Sequence, residues 1–238
     1  MKCLIIAAGQ GTRLRSLAES KPLALVAGIP LIEHVVRSAA AGGAREFVVV
    51  TGYRAEPLEA FLEQLAERTG LAVETVRNSE WSRPNGLSVL AAAGRLESEF
   101  VLLMSDHLFD PSILSDMIGS DRGGAELTLA ADFEIGNPLL DLDDATKIEL
   151  GEGLRIRRIG KTLPSYEAID TGIFIAGPPL LEALRSSLAA GGWGSLSEGV
   201  QALADSGRAF AWDCGGRWWL DVDDEAAYAK AETALAGG

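Results

Sequence analysis

An apolar, β-branched run, Lys2-Cys3-Leu4-Ile5-Ile6-Ala7, feeds directly into Ala8-Gly9-Gln10-Gly11-Thr12-Arg13-Leu14. The run predicts a buried first strand over residues 2–7. Two glycines straight after a strand let the backbone turn sharply and bring its amides close to an anion. By itself Gly-x-Gly is a weak sign. A dinucleotide fingerprint requires a third glycine opening a helix, where this chain has Leu14, and a Walker loop requires Gly-Lys-Ser/Thr. Thr12 and Arg13 stand there instead. They put a hydroxyl and a guanidinium at the loop tip, and a guanidinium meets phosphate oxygens two at a time.

That strand is the first of a series. Apolar residues at helical spacing over 30–42 (Leu31, Ile32, Val35, Val36, Ala39, Ala40) stop at Gly42-Gly43. Residues 46–51 predict a second buried strand, and Pro57 sits near the start of a helix that runs to about Thr69, before Gly70. A third strand is predicted over 71–76, a helix over 86–96, and a fourth strand over 100–104 that ends at Ser105-Asp106-His107. This β-α-β-α-β-α-β order predicts an α/β fold with a mostly parallel sheet and helices on both faces. The second half is less regular. It predicts a strand at 125–131, a hairpin of 145–150 and 154–160 across Gly151-Glu152-Gly153, and a strand over 168–176. A helix follows from Pro178-Pro179 to about Ala190, then a helix over 195–205, a strand over 209–213 and an amphipathic helix over 224–235. No Pro/Ser linker, repeat or low-complexity tract interrupts the series, so one domain over 1–238 is expected.

The 238 residues carry 21 Lys+Arg against 34 Asp+Glu, a net charge of −13. With 47% hydrophobic residues the chain builds a sizeable core and is not disordered. Its acidity argues against nucleic acid as a partner, and any phosphate site must be built locally from a few cations, backbone amides or a metal. Two cysteines, Cys3 and Cys214, are too few for a disulfide scaffold, so a reducing cytoplasm is the expected compartment. No apolar run approaches the ~20 residues of a membrane span, and the opening reads as a strand, not a signal peptide. Lysine occurs only at positions 2, 21, 147, 161 and 230, arginine being the usual cation, so a lysine in a special place stands out.

Lys21 is in such a place. Lys21-Pro22-Leu23 lies eight residues past Arg13 and leads to Val26-Ala27-Gly28-Ile29-Pro30-Leu31-Ile32. Gly-x-Gly-Thr-Arg-Leu, then Lys-Pro-Leu, then Val-x-Gly-x-Pro-Leu-Ile resembles the sugar-phosphate nucleotidyltransferase family, over nearly the whole chain. The resemblance implies a Rossmann-like, glycosyltransferase-A-like fold. It implies transfer of a nucleotidyl group from an NTP to a phosphorylated acceptor, with pyrophosphate leaving. In its terms Ala7, Gly9, Gly11, Thr12 and Arg13 cradle the triphosphate, and Lys21 offsets the charge of the pentavalent transition state. Phosphoryl transfer needs chiefly such positioning and electrostatic stabilisation. Asp106, at the carboxyl end of a strand where open α/β sheets bind ligands, would hold Mg²⁺. A second metal carboxylate is implied within Trp218-Trp219-Leu220-Asp221-Val222-Asp223, with Asp221 the better match. Asp223 would share the metal or cap the last helix, with Asp224 as its rival. Asn78, Asn85, Gly86 and Ser88 fall where the family holds base and ribose, Gly86 permitting close approach; Asn85-Gly86 also reads as a plain turn.

Within the family, Met104-Ser105-Asp106-His107-Leu108-Phe109-Asp110-Pro111, Ala145-Thr146-Lys147-Ile148, Ile159-Gly160-Lys161 and Ala168-Ile169-Asp170-Thr171-Gly172 resemble the inositol-1-phosphate cytidylyltransferase branch. That branch makes CDP-inositol from CTP and inositol 1-phosphate and is often fused to a membrane alcohol-phosphotransferase, so a separate enzyme of that kind is an implied partner. Lys161 matches the family lysine that meets the acceptor phosphate. Lys147 is the other interior lysine on the acceptor side, Asp170 would bind polyol hydroxyls and His107 would touch the acceptor. Residues 1–110 would serve mainly the nucleotide and 111–238 mainly the acceptor. Two histidines and two cysteines, far apart, support neither a zinc site nor a catalytic triad. Phosphocholine and hexose 1-phosphates stay open as acceptors, although choline favours an aromatic cage and aromatic residues are 6%. A catalytically silent nucleotide-sugar sensor is the alternative of another class, and an NAD-dependent oxidoreductase lacks its third glycine.

Overall fold

In the computed structural model, which describes residues 1–14, 19–137 and 141–235, the opening apolar run forms strand β1 (Lys2–Ile6). A small hairpin, β2 (Leu25–Val26) and β3 (Ile29–Pro30), precedes helix α1 (Leu31–Ala41). Then come β4 (Glu46–Thr51), α2 (Ala55–Thr69), β5 (Ala72–Arg77), α3 (Gly86–Ala91), β6 (Phe100–Met104), β7 (His107–Phe109) and α4 (Pro111–Gly119). The second half holds β8 (Leu127–Asp132), β9 (Lys147–Leu150), β10 (Ile156–Gly160), β11 (Ala168–Ala176), α5 (Pro178–Ala189), α6 (Leu196–Asp205), β12 (Ala209–Asp213), β13 (Trp219–Asp221) and α7 (Glu225–Leu235).

The main sheet runs β10-β9-β11-β6-β1-β4-β5, with β8 pairing β11 and β12 beyond it. The segment β6-β1-β4-β5 is parallel, as the alternation of strand and helix predicts. Strand β11 joins antiparallel to β6, β8 and β9, so the α/β fold is completed as a mixed sheet. Successive side chains of a strand face opposite ways, and each central strand feeds two cores. Cys3 and Ile5, Phe47 and Val49, Val101 and Leu103 point toward α1, α2 and α4. Leu4 and Ile6, Val48 and Val50, Phe100 and Leu102 point toward α3, α5 and α6. All are buried, which explains why these strands read as unbroken apolar runs.

Local signals set several helix ends. Helix α6 starts with a capping box, Ser195 accepting from the Glu198 amide while the Glu198 carboxylate accepts from Ser195 N–H. Gly70, left-handed at φ 71°, ends α2. The α-helix expected over 86–96 stops at Ala91 and continues as a 3₁₀ turn at Ala93–Arg95. Helix α4 and the short strands β2, β3, β7 and β13 are absent from the sequence-based expectation. Helix α4 has its Asp110 cap and Pro111 start, but it lies in a half whose pattern is irregular. The three-residue strands β7 and β13 pair antiparallel and carry no periodicity of their own; their register sets Asp221 opposite His107.

Candidate active site

The glycine loop leaves β1 at the carboxyl edge of the parallel strands. Gly11 is left-handed (φ 59°), and a Cβ there would fall 2.4 Å from Lys21 Cβ. The loop and the Lys21–Leu23 turn, fixed by Pro22, thus touch backbone to side chain with room only for glycine. Lys21, 6% exposed, donates from Nζ to Asp106 Oδ2 at 2.5 Å and to Asp223 Oδ1. Arg13 donates to the other oxygen of Asp223 and pairs with Asp144 Oδ2 at 2.6 Å. The second oxygen of Asp144 takes Lys161 Nζ. Two cations and three carboxylates therefore form one chain from Asp106 to Asp144, continued to Lys161.

Burial alone would drive Lys21 toward neutrality, but Asp106, Asp223 and Asp221 outweigh it and hold the ammonium above the ordinary lysine value. Burial likewise works to raise Asp106, and the Lys21 charge overrides it, so Asp106 stays below the usual carboxylate range. Asp223 is raised, by burial and then by the neighbouring charge of Asp221. Hydrogen bonding from Lys161 and Arg13 holds Asp144 down at about 2. Asp170, its Oδ1 accepting from Gly172 N–H, is pushed up to about 6 by burial.

His107 follows Asp106. Its Nδ1 lies 2.7 Å from the Thr171 carbonyl, and its Nε2 lies 3.5 Å from Asp221 Oδ2 and 3.8 Å from Asp106 Oδ1. Burial would lower the imidazole, but Asp221, Asp106 and the Thr171 carbonyl push it up to about 10. One donor atom from each of Asp106, His107 and Asp221 lies within 4.8 Å of the others. Asp221 Oδ1 is buried without a hydrogen-bond partner among the described residues. A carboxylate oxygen left unpaired beside a second carboxylate is what a divalent cation satisfies, so these residues fit one.

Two cavities meet at this centre. One, of about 350 Å³, is lined by Gly9, Gly11, Thr12, Lys21, Trp81, Arg83 and Ser88. The other, of about 500 Å³, is lined by His107, Lys161, Asp170, Asp221 and Lys230. Arg13, Asn85, Met104, Asp106 and Asp223 border both.

Several expected contacts do not reach a cavity. Lys147 is buried, and its Nζ donates to the carbonyls of Leu142 at 2.6 Å and Lys161 at 2.8 Å; it ties a loop together, and of the two lysines only Lys161 lines the larger cavity. Asn78 is buried beneath Ser88, donating to its Oγ at 3.1 Å and accepting from Glu80 N–H, so it positions Ser88 without lining the space. Gly86 does permit a close approach, but of protein: a Cβ there would fall 2.5 Å from the Gly194 carbonyl. Ala7 is buried, its amide donating to Val50 O to extend the ladder. Asn85 borders both cavities and also accepts from Leu196 N–H. At the last helix Asp224 accepts from Ala227 N–H and is the cap, which leaves Asp223 to the cations. Asp144, Arg83 and Lys230 were invisible to sequence reasoning. Asp144 ends the acid run Asp141-Leu142-Asp143-Asp144, which looks like a solvated loop.

Residues 3–155 match the family model described as MobA-like NTP transferase domain. A "Bifunctional IPC transferase and DIPP synthase" of Rubrobacter xylanophilus is 39% identical over 92% of this chain and 48% of its own length. One of the same name from Aquifex aeolicus is 30% identical over 98% of this chain and 51% of its own. The chain thus spans about half the length of these curated relatives. Among solved structures, the inositol-1-phosphate CTP transferase from T. maritima superposes with a TM-score of 0.85 at 25% identity, over 100% of this chain and 96% of that one. No helix among the described residues is long and apolar enough to cross a membrane.

Proposed function

We propose that this chain, which belongs to the MobA-like NTP transferase family, moves a cytidylyl group from CTP to inositol 1-phosphate, yielding CDP-inositol and pyrophosphate. The observation that carries the reading is the wall shared by the two cavities, where Arg13, Asp106 and Asp223 border both spaces and Lys21 joins them. Substrates occupying one cavity each would bring their phosphates together at that wall. The names of the relatives supply the substrate classes.

In this reading Gly9, Gly11, Thr12 and Arg13 hold the triphosphate, with Asn85 and Ser88 toward the nucleoside. Lys161 meets the acceptor phosphate and Asp170 accepts from ring hydroxyls. An acceptor phosphate oxygen attacks the α-phosphorus, a new P–O bond forms, and the bond to pyrophosphate breaks with its electron pair leaving on oxygen. Lys21 and Arg13 offset the charge that gathers on the triphosphate, and a phosphate monoester is already an anionic nucleophile, so no general base is required. Asp106 and Asp221 would hold the divalent cation, Mg²⁺ by the resemblance, which when bound supplies further neutralisation of the phosphates. Residues 1–238 act as one domain, 1–110 serving the nucleotide and 111–238 the acceptor. Because the curated relatives are bifunctional and about twice as long, a membrane alcohol-phosphotransferase is the proposed consumer of the product, with transfer itself in the cytoplasm.

The test is pyrophosphate release with a divalent cation, each of four NTPs being combined with inositol 1-phosphate, phosphocholine, glucose 1-phosphate and mannose 1-phosphate. Turnover confined to CTP with inositol 1-phosphate is expected. Turnover with another pair would overturn the acceptor or base assignment, and nucleotide binding without pyrophosphate release would favour a silent sensor.

A further inference from the structure

We infer that His107 is itself a ligand of the cation held by Asp106 and Asp221, through Nε2, and that the site therefore binds Mn²⁺ and similar transition-metal ions more tightly than Mg²⁺. This deepens the nucleotidyl-transfer reading and rests on it only for the purpose of the ion.

Thr171 fixes the tautomer of the ring. Nδ1 lies 2.7 Å from the Thr171 carbonyl oxygen, which can only accept, so Nδ1 must carry the hydrogen. A histidine that donates Nδ1–H to a backbone carbonyl turns Nε2 toward the two carboxylates, the orientation ligating histidines habitually take, and a cation bound there replaces the Nε2 proton that Asp221 and Asp106 otherwise hold. Nε2 stands 3.5 Å from Asp221 Oδ2 and 3.8 Å from Asp106 Oδ1. These separations exceed a hydrogen bond, yet donors around one ion at ~2.1 Å stand roughly 3 Å apart, so a small contraction around an ion closes the set. Asp106 offers Oδ1 because its Oδ2 is engaged by Lys21.

The ring is also held in place. Gly172 is left-handed (φ 76°), and a Cβ there would fall 2.2 Å from His107 Nδ1, so the backbone has been kept bare for the imidazole. Trp219 stacks with it, ring centroids 6.1 Å apart, and the Trp219 indole N–H donates to buried Asp132 at 2.9 Å. A passing acceptor contact does not need a ring held by three separate contacts. Mg²⁺ prefers oxygen donors almost exclusively, whereas an imidazole nitrogen suits Fe²⁺, Ni²⁺ and Zn²⁺ best, and Mn²⁺, the weakest binder of that row, tolerates one more readily than Mg²⁺ does. A site of two carboxylates and one imidazole therefore departs from the all-oxygen site that Mg²⁺ alone would want.

The experiment uses metal-stripped full chain and Mn²⁺ alone, without substrates, so its outcome is separate from that of the pyrophosphate assay. Electron spin echo modulation of bound Mn²⁺ should show coupling to an imidazole ¹⁴N, and Mg²⁺ should displace Mn²⁺ only in about tenfold excess or more. His107→Gln should abolish the nitrogen coupling and weaken Mn²⁺ by about 10–100-fold, with a much smaller change for Mg²⁺. Bound Mn²⁺ without nitrogen coupling in the unaltered protein overturns the assignment, whatever the variant does. Equal affinity for the two ions overturns the selectivity.

Discussion

Gly11→Ala tests whether the glycine loop and Lys21 form one rigid unit. The added methyl would lie 2.4 Å from Lys21 Cβ and 2.9 Å from Lys21 Cδ. Cβ is anchored to the backbone, so the lysine cannot swing its end away. Either the loop or the Lys21–Leu23 turn must move by roughly 1 Å to restore van der Waals contact, and displacements of that size near reacting groups cost about 10²-fold in rate. That loss is ~2.7 kcal/mol of transition-state stabilisation. Holding alanine at a left-handed φ adds roughly 1–2 kcal/mol of destabilisation, or ~2–8 °C in Tm for a domain of this size. Gly9→Ala is the control, since a Cβ there meets nothing within 4 Å and Gly9 is not left-handed. The assay pairs thermal unfolding with pyrophosphate release from CTP and inositol 1-phosphate. The expected pattern is a lower Tm and about 10²-fold lower kcat/KM for Gly11→Ala, against an unchanged Tm for Gly9→Ala. If Gly11→Ala kept its rate within about threefold, the contact would not be holding Lys21 and the reasoning would be wrong.

Gly172→Ala should drive its methyl into His107, so Mn²⁺ binding to the metal-stripped protein should fall at least tenfold while the circular dichroism spectrum persists. Asp144→Asn removes the anion that pairs with half-exposed Arg13 and Lys161; under the proposed assignment of those cations to substrate phosphates, KM for both substrates should fall by about 2–5-fold, an effect that vanishes in high salt. Glu33 on α1 accepts from Arg68 of α2 and from Arg37, and those hydrogen bonds hold its carboxyl below the ordinary glutamate value of 4.5. A lowered folded-state pKa means stability that is present above 4.5 and lost as pH falls through the folded value. Urea midpoints at neutral and acidic pH should therefore converge in Glu33→Gln relative to the unaltered chain, and equal slopes in both proteins would refute the linkage.

The parallel half of the fold was legible because strands covered on both faces must be apolar throughout, as Phe47-Val48-Val49-Val50 and Phe100-Val101-Leu102-Leu103 are. Lys21 was legible for a different reason, a scarce residue type fixed beside proline. Elsewhere sequence carried less. Asp223 was the weaker expectation because alternation along a strand was its only warrant, and β13 in fact ends at Asp221. What brings Asp223 to Lys21 is a non-local hydrogen bond, Val222 N–H to the Asp106 carbonyl at 3.0 Å, which no local pattern encodes. Asn78 and Lys147 misled because a buried polar residue must satisfy itself, and each does so on protein atoms close by. Asp144 stayed hidden because its meaning depends on Arg13, 131 residues earlier, and a run of acids in a loop resembles a hydrated surface.

The pairing of β7 with β13 also orders events in time. A chain emerging from the ribosome has made the glycine loop, Lys21, Asp106 and His107 long before Asp221 and Asp223 exist, and amino-terminal segments can begin folding as they emerge. Until the chain passes residue 223, Lys21 has one of its two carboxylates and the cation cluster lacks its third donor. A nascent chain stalled short of that point would present the glycine loop and Lys21 without a complete centre. The centre is thus among the last features that synthesis of the chain completes.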